Sequence, residues 1–184
     1  MPNAIKPYLG TMPTIADDVF IADTAAVIGD VHIGAGSSVW YNCVIRGDGG
    51  SHIRIGERTN IQDGTIVHVN GPRADGTPMM PTYIGSDITI GHNALIHACT
   101  LEDGCFIGMS SSVLDGAVVE TGAMVAAGAV VSPGKVVKSG ELWAGIPAKP
   151  LRELREAELA FWPESVKIYC GLAQDHIKSG NDAK

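Results

Sequence analysis

The sequence predicts an all-β repeat protein: a parallel β-helix built from hexapeptide repeats and followed by a C-terminal α-helix. Three observations predict this fold class. Aliphatic residues recur at every sixth position over most of the chain, Gly and Asp cluster between them, and the spacing of apolar residues becomes helical near residue 151. Because 184 residues fall within the usual size of one domain, we expect a single folded unit.

The six-residue repeat determines the predicted architecture. The aliphatic positions that follow it are Ile15, Ile21, Val27, Ile33, Val39, Ile45, Ile55, Ile61, Val67, Ile84, Ile90, Ile96, Leu101, Ile107, Val113, Val119, Val125, Val131 and Val137. A period of six matches neither the 3.6 residues of a helical turn nor the two of an alternating strand. It fits short strands joined by tight turns such as Ile28-Gly29-Asp30. The pattern resembles hexapeptide-repeat proteins, and this resemblance implies a left-handed triangular coil, an exception to the usual right-handed crossover.

Two insertions interrupt the repeat. Four extra residues stand between Ile45 and Ile55, and eleven stand between Val67 and Ile84. The longer insertion must project from the coil as a loop, which we place at residues 70–82. Long loops on a regular scaffold often have functional roles.

The chain changes character after the last repeat. Residues 145–150 are rich in Gly and Pro, which predicts a linker. We therefore divide the chain into a β-helix at residues 1–145 and a linker with a C-terminal helix at residues 146–184. Helical spacing begins near Leu151, and Pro163 is expected to kink or restart the helix. The apolar stripe of this helix should pack on a flank of the β-helix, its own or a neighbour's.

Composition and charge exclude several classes of function. A net charge of −7 without a basic patch argues against a nucleic-acid partner. There is no apolar run of about 18 residues and no leader-like segment at Met1–Gly10, so we expect no membrane association and a cytoplasmic location. Cys43, Cys99, Cys105 and Cys170 lack the spacing of a metal or redox motif and are expected to be reduced, packed side chains.

Two histidines and an arginine occupy equivalent positions in the repeat. If the aliphatic residues mark three faces in turn, those that precede Arg46, His68 and His97 lie on the same face in successive coils. The three side chains should then stack with the spacing of neighbouring strands, about 4.8 Å. Two imidazoles placed in this way can share one zinc ion.

A third histidine completes the predicted metal site from another subunit. His92 follows Ile90, which belongs to a different face, so His92 lies around a corner from His97. We expect it to bind a metal held by His68 and His97 of a neighbouring chain. A closed ring with such shared sites is a homotrimer with three metal sites at its interfaces. The remaining histidines are assigned surface or packing roles, and they are His32, His52 and His176.

Polar residues flank the predicted metal ligands in the sequence. Arg46 and Asp48 lie one coil before His68, where they are either a purely structural ion pair or a positional lock for the site. Residues 60–63 come shortly before His68. Within them Gln62, if it is not simply a turn residue, can both donate and accept hydrogen bonds, which suits the orientation of an activated water molecule.

Taken together, these residues resemble the γ-class carbonic anhydrases. The matching segments are the hexapeptide coils, Val44-Ile45-Arg46-Gly47-Asp48, Asn60-Ile61-Gln62-Asp63, His68, His92-x4-His97 and Gly145-Ile146-Pro147-Ala148-Lys149. Hexapeptide repeats alone are weak evidence for function, since acyltransferases share them. The ordered polar set is specific. The resemblance implies a zinc enzyme, with iron or cobalt as alternatives, that hydrates carbon dioxide to bicarbonate and a proton.

The resemblance also implies roles for individual residues. His68, His92 and His97 would bind the metal. Arg46 and Asp48 would help to assemble the trimer and to bind bicarbonate. The residues implied beside the activated water are Gln62 and Asp63, and Asn60 of the same motif is a further catalytic candidate. The residue implied at the border of the site from the C-terminal helix is Tyr169.

The chain departs from active members of that family at two acidic positions. A proton-shuttle glutamate is expected shortly after the first metal histidine, where Val69, Asn70 and Gly71 stand, and a second glutamate is expected where Gly49 stands. We therefore expect metal binding with slow turnover. Two other functions stay open: an acyl-CoA thioesterase on the same metal site, and a metal-braced trimer without catalysis. An acyltransferase, which would use a catalytic histidine without metal, is less favoured.

Overall fold

The fold is a parallel β-helix that ends in a hairpin and is flanked by one helix. The computed structural model describes residues 5–72 and 74–184; residues 1–4 of the predicted β-helix and Arg73 of the predicted loop lie outside this part. The described residues form β1 (Ile5–Lys6), β2 (Thr14–Ile15), β3 (Phe20–Ile21), β4 (Ala26–Gly29), β5 (Val31–Ile33), β6 (Ser38–Val39), β7 (Val44–Gly47), β8 (Ile53–Ile55), β9 (Asn60–Ile61), β10 (Ile66–His68), β11 (Thr82–Ile84), β12 (Thr89–Ile90), β13 (Leu95–His97), β14 (Thr100–Leu101), β15 (Phe106–Ile107), β16 (Ser112–Val113), β17 (Val118–Val119), β18 (Met124–Val125), β19 (Val130–Val131), β20 (Val136–Val137), β21 (Glu141–Gly145), β22 (Ala148–Glu153) and α1 (Glu156–Lys178).

Three sheets form the sides of the coil. In the described residues the first sheet has the order β1-β4-β7-β10-β13-β16-β19, and the second has β2-β5-β8-β11-β14-β17-β20. The third has β22-β21-β18-β15-β12-β9-β6-β3. Each strand of the repeat pairs in parallel with the strand three positions further along, so three strands make one turn of the coil. The left-handed hexapeptide β-helix predicted from the sequence is confirmed.

The aliphatic repeat forms the core. Ile45, Val67 and Ile96 pair in register across β7, β10 and β13, and all three are fully buried. The two insertions leave this register intact, because the extra residues lie between β7 and β8 and between β10 and β11. In the longer insertion, the backbones of Asn70 and Met80 pair across the base of the projecting loop. The loop therefore leaves and rejoins the coil without shifting the core.

The segment predicted as a linker is largely a strand, which corrects the prediction. Ala148–Glu153 pairs antiparallel with Glu141–Gly145 and is the outermost strand of the third sheet. Pro150 is tolerated there because an edge strand has a row of backbone groups without a sheet partner. The helix consequently begins at Glu156 rather than near Leu151, and it continues through Pro163 without restarting.

The helix packs on the third sheet, against β3, β6, β9 and β12. Its buried residues are Trp162, Ser165, Val166 and Ala173. The guanidinium of Arg152 in β22 donates hydrogen bonds of 2.8 and 2.6 Å to Glu158, and these bonds lower the pKa of Glu158 to about 2. The start of the helix is thereby tied to the hairpin. In the described part of the chain, no helix is long and apolar enough to cross a lipid bilayer.

The four cysteines are free thiols, in agreement with the sequence prediction. Cys43, Cys99 and Cys105 are buried, and Cys170 is half-buried on the helix. Burial raises the pKa of Cys43 and of Cys99 to about 12, so both are thiols rather than thiolates at neutral pH. They act as small apolar side chains of the core.

Gly29 lies where two coils approach too closely for a side chain. Its φ is +79°, and a Cβ atom there would overlap the carbonyl oxygen of Gly47. Gly128 has a similar φ of +69°, but apart from its two chain neighbours no atom of residues 5–72 and 74–184 lies within 4 Å of a Cβ atom built there. The two glycines therefore share a backbone conformation and differ in the space around them.

We expect Gly29→Ala to destabilise the protein more than Gly128→Ala. The positive φ costs each variant about 1–2 kcal/mol, and the overlap with Gly47 adds about 1–3 kcal/mol to the cost of Gly29→Ala alone. Denaturant unfolding at equal protein concentration measures the difference. Equal losses of unfolding free energy in the two variants would contradict the close approach of the coils.

Candidate functional site

Two of the predicted metal ligands face each other on the first sheet. His68 in β10 pairs in register with Arg46 in β7 and with His97 in β13, so the three residues occupy the stacked positions that their phase in the repeat predicts. His68 Nδ1 and His97 Nε2 are 3.3 Å apart. Two nitrogen ligands of a tetrahedral zinc site, each about 2.0–2.1 Å from the metal, are separated by about 3.3–3.4 Å. The pair therefore fits one edge of such a site.

Each of the three predicted ligands has an aspartate on one ring nitrogen. The pairs are His68 Nε2 with Asp48 Oδ1 at 3.0 Å, His97 Nδ1 with Asp115 Oδ1 at 2.5 Å, and His92 Nδ1 with Asp63 Oδ2 at 2.9 Å. An imidazole that donates one N–H to a carboxylate keeps a lone pair on its other nitrogen, which is the form that binds a metal. The donor set is therefore suited to a metal ion.

His92 lies apart from the other two histidines of its own chain. It follows β12 of the third sheet, in the turn that leads into β13 of the first sheet. Within residues 5–72 and 74–184, no group of three or more His, Cys, Asp or Glu side chains lies close enough together to hold a metal ion. One chain thus brings His68 and His97 together and leaves His92 with Asp63 at a separate corner.

Arg46 and Asp48 form an ion pair beside His68. The guanidinium of Arg46 donates to Asp48 Oδ2, while Asp48 Oδ1 faces His68. Partial burial raises the pKa of Asp48, but the hydrogen bonds from His68 and Arg46 outweigh it and hold that pKa below its ordinary value. Asp48 is therefore ionised at neutral pH. The Arg46 side chain remains 41% exposed, so it has room for a contact outside its own chain.

Gln62 has a fixed amide orientation. Asn60 Nδ2 donates to the carbonyl oxygen of Ile88 at 3.3 Å, which can only accept, and to Thr89 Oγ1 at 3.0 Å. Asn60 Oδ1 must then point the other way, where it accepts from Gln62 Nε2 at 3.1 Å. Thr89 Oγ1 is also bonded to Ser165 Oγ of α1 at 3.1 Å, so the helix belongs to the same network.

The carbonyl oxygen of Gln62 is buried and unpaired. The residue is only 4% exposed, and within the described part of the chain Oε1 has no hydrogen-bond partner. A buried polar atom is normally paired, so an orphaned acceptor indicates the position of a donor that the described residues of this chain do not supply. Gln62 therefore retains an acceptor that no described residue satisfies; its role beside an activated water stays a prediction.

Tyr169 and Gln62 line one small pocket between the helix and the third sheet. The pocket has a volume of about 170 Å³, and its apolar walls come mainly from Phe106, Met109 and Phe161. Burial, together with the charge of Asp63, raises the pKa of Tyr169, so its hydroxyl stays protonated at neutral pH. The structure thus places the predicted Tyr169 beside Gln62, with an apolar space between the helix and the coil.

The positions that lack the expected glutamates have packing roles in this chain. A Cβ atom at Gly49 would lie 3.4 Å from the Cα atom of Gly71, so the base of the projecting loop packs against Gly49. Val69 is buried, and Asn70 Nδ2 donates to Asp115 Oδ2 at 2.7 Å. Asp75 accepts hydrogen bonds from Thr77 within the loop itself. These residues shape the loop.

Asp115 is a site residue that the sequence motifs do not include. Ile96 pairs with Val113, so one turn of the coil at this point contains 17 residues. Asp115 lies 18 residues after His97, which is one residue more than a full turn. Residues about one coil apart occupy neighbouring strands or the turns that follow them. The contact between Asp115 and His97 was therefore predictable from the period to within one position, although no local motif marks it.

The other three histidines lie outside this site. His176 Nδ1 is 3.0 Å from the hydroxyl of Tyr41, and its ring packs edge-on against Trp40. His52 Nε2 is 3.0 Å from the hydroxyl of Tyr83. His32 is exposed on β5. Their surroundings are those of packing and surface residues, as the sequence predicts.

Comparison with known proteins places the chain first in a fold class and then in a family. The family described as bacterial transferase hexapeptide (six repeats) matches residues 12–47. The crystal structure of a hexapeptide transferase family protein from Anaplasma phagocytophilum superimposes with a TM-score of 0.87 at 46% identity, over 95% of this chain and 98% of that one. The chain is thus a hexapeptide-repeat β-helix protein.

Relatives with assigned names define the family more closely. A carbonic anhydrase of Geobacillus kaustophilus is 46% identical over 84% of this chain and 81% of its own length. The mitochondrial γ carbonic anhydrase 2 of Arabidopsis thaliana is 51% identical over 92% of this chain. The chain spans 60% of the length of that plant protein. The chain belongs to the γ carbonic anhydrase-like family of hexapeptide-repeat proteins.

We expect Gln62→Glu to lower the free energy of unfolding by about 1–3 kcal/mol at pH 7. The variant loses the donor to Asn60 Oδ1 and turns a carboxylate toward that carbonyl oxygen, which the bond to Ile88 prevents from rotating away. Denaturant unfolding of the metal-free protein measures the loss. The control Gln174→Glu changes an exposed helix residue whose amide makes only a long bond of 3.4 Å to the carbonyl oxygen of Asp18, and it should change the value by less than about 0.5 kcal/mol. Equal effects would show that the amide of Gln62 is not fixed in this way.

Proposed function

We propose that this protein is a metal-dependent carbonic anhydrase, which converts carbon dioxide and water to bicarbonate and a proton. The observation that carries the proposal is the pair of His68 Nδ1 and His97 Nε2, 3.3 Å apart, with an aspartate on the far nitrogen of each ring. The relatives named as carbonic anhydrases support the choice of reaction. The cytoplasmic location expected from the sequence stays a prediction.

The proposed enzyme is a homotrimer in which a neighbouring chain supplies the third ligand. His68 and His97 would hold the metal from one subunit, and His92 would reach it from the next. The outward side of the first sheet supports a partner surface there, because an apolar ladder runs along it beside the histidine pair. The ladder consists of Ala26, Val44, Ile66 and Leu95 in register.

Zinc is the proposed metal, with iron or cobalt as alternatives. When bound, it would supply a Lewis acid that lowers the pKa of water to near 7, so that a hydroxide nucleophile is available at neutral pH. The three neutral imidazoles match the ligand set of a catalytic zinc site, which keeps one position open. Asp48, Asp63 and Asp115 would hold the rings in the ligating form.

The remaining residues would orient the reactants. Gln62 Oε1 would accept a hydrogen bond from the attacking water, and Asn60 would fix the amide that does so. The guanidinium of Arg46, held by Asp48, would bind the bicarbonate oxygens. The apolar pocket beside Tyr169 would receive carbon dioxide, which is itself apolar. With Gly49 and Asn70 in place of acidic residues, the proton would leave through buffer or a chain of water molecules.

A thioesterase that acts on acyl-CoA is the second candidate. The observation that favours it is the pocket of about 170 Å³ lined by Phe106, Met109 and Phe161, which has room for more than carbon dioxide. The same nucleophile would attack the thioester carbonyl, break the carbon–sulfur bond and release a carboxylate and a free thiol. The aliphatic part of the acyl group would lie against the apolar walls.

We expect the purified protein to contain metal and to hydrate carbon dioxide, and we expect His97→Ala to lose both. Metal analysis and stopped-flow hydration assays measure the two properties. Loss of a direct ligand should lower kcat/KM by more than about 100-fold, beyond the effect of losing an outer partner. His52→Ala, which removes a histidine bound to Tyr83, serves as the matched control and should retain wild-type values.

With an added assay of acyl-CoA hydrolysis, the other outcomes of this experiment distinguish the remaining functions. Release of thiol from acyl-CoA without hydration activity would favour the thioesterase. Stoichiometric metal without either activity would favour a metal-braced scaffold. Equal hydration rates for wild type and His97→Ala would overturn the proposed reaction, and a metal-free wild-type protein would overturn the metal site.

We expect Ile66→Lys to dissociate the trimer and to lower metal content. Ile66 is 46% exposed on the first sheet beside His68, and a charge there would have to be buried against the neighbouring chain. Tyr83→Lys is the matched control, because Tyr83 is 43% exposed on the second sheet. Light scattering coupled to gel filtration measures the mass of each variant. A monomeric wild-type protein, or a trimeric Ile66→Lys variant, would contradict the shared site.

A further inference from the structure

We propose that Asp115 is a positioning residue of the metal site, and that it couples the ligand His97 to the base of the projecting loop. This inference rests on the proposed function, since it assigns Asp115 a role toward the metal that His97 would bind. Asp115 lies outside the motifs Arg46-Gly47-Asp48, Asn60-x-Gln62-Asp63 and His92-x4-His97, on which the resemblance to the family rests.

The carboxylate of Asp115 is held at both oxygens. Oδ1 lies 2.5 Å from His97 Nδ1, and Oδ2 accepts a hydrogen bond of 2.7 Å from Asn70 Nδ2. The Asp115 side chain is 23% exposed, and Asn70 is 8% exposed. A carboxylate with a partner on each oxygen has a defined rotamer, so it presents a fixed acceptor to the imidazole.

This fixed acceptor determines the form of His97. A carboxylate accepts the bond from Nδ1, so in the form of the imidazole that binds a metal the proton resides on Nδ1. The lone pair of His97 is then on Nε2, which is the atom that lies 3.3 Å from His68 Nδ1. Without Asp115 the ring is free to take the other tautomer or to rotate, and both changes remove a lone pair from the edge of the proposed site.

Asn70 connects this arrangement to the loop. Its backbone N–H and carbonyl pair with Met80 at 3.0 and 3.1 Å, which closes the base of the loop. The side chain of the same residue holds Asp115. The conformation of the loop base and the orientation of His97 are therefore linked through the carboxylate of Asp115. Asn70, which makes this link, stands where the family resemblance leads one to expect the acidic shuttle segment.

The test compares Asp115→Asn with Asp103→Asn, which removes the same charge from an exposed aspartate that bonds to Ser86. The zinc dissociation constant is measured by competition with a chromophoric chelator, and the absorption spectrum of the cobalt-loaded protein reports ligand geometry. We expect Asp115→Asn to raise the dissociation constant about 10- to 100-fold and to change the cobalt spectrum. Asp103→Asn should leave both measurements unchanged.

Two further measurements keep the outcomes distinct. Thermal unfolding in excess chelator should be similar for wild type and Asp115→Asn, so that weaker binding reports the site rather than the fold. Asn70→Ala keeps the carboxylate but removes the hydrogen bond from Asn70 Nδ2 to Asp115 Oδ2, and we expect it to raise the dissociation constant about 2- to 10-fold. If Asp115→Asn does not fold, weaker zinc binding by Asn70→Ala supports the proposal, and a wild-type dissociation constant in Asn70→Ala overturns it.

A wild-type dissociation constant and cobalt spectrum in Asp115→Asn would overturn the positioning role and leave the proposed function intact. A wild-type dissociation constant in Asn70→Ala would overturn the coupling to the loop. Absence of zinc binding in the wild-type protein itself would overturn the proposed function, and this inference with it.

Discussion

The hydrogen bonding between successive coils is the constraint on which the rest of the structure depends. Backbone N–H groups donate to the next coil throughout the first sheet: Val44 to Thr65 at 3.0 Å, Ile66 to Ala94 at 2.9 Å and Leu95 to Ser111 at 2.8 Å. A residue added within a strand would turn every following side chain to the opposite face. Extra residues are therefore accommodated only at the corners, as in the loop after Val69.

The same constraint gives the candidate site its rigidity. His68 and His97 are neighbours because their strands pair, so their separation depends on backbone register rather than on flexible side chains. The corner after His97 is tight: Ala98 has a φ of +48°, and its N–H donates to the carbonyl oxygen of His68 and to Thr82 Oγ1. A five-residue step from Ile96 to Leu101 is compatible with the coil because of this turn.

The features that could be predicted from the sequence are those that depend on the six-residue repeat. The core ladder and the stacked Arg46, His68 and His97 depend only on counting residues per coil, and the structure contains them. The same counting leads to within one position of Asp115, although no motif draws attention to it. The strand Ala148–Glu153 was not predicted, because its proline is typical of linkers and only its position at the edge of a sheet makes that residue compatible with pairing.

Other features depend on contacts that no spacing reveals. The amide of Gln62 is oriented by Asn60 and Thr89, and Thr89 is bonded to Ser165, which lies 76 residues further along the chain. The docking of α1 on the third sheet creates this contact and the pocket at Tyr169. The ligand role of His92, the identity of the metal and the trimer stay predictions, since each involves atoms beyond one chain.

The uninterrupted coils after Asp115 have an evolutionary consequence. From Val118 to Val137 the repeat continues without insertions, and each coil pairs with the next by the same register. Duplication or loss of a whole 18-residue unit in this region would lengthen or shorten the molecule while His68 and His97 kept each other and their aspartates as neighbours. Descendants of such a chain can therefore vary in length by entire coils, whereas gain or loss of a single residue within β10 or β13 would separate the histidines from their aspartates.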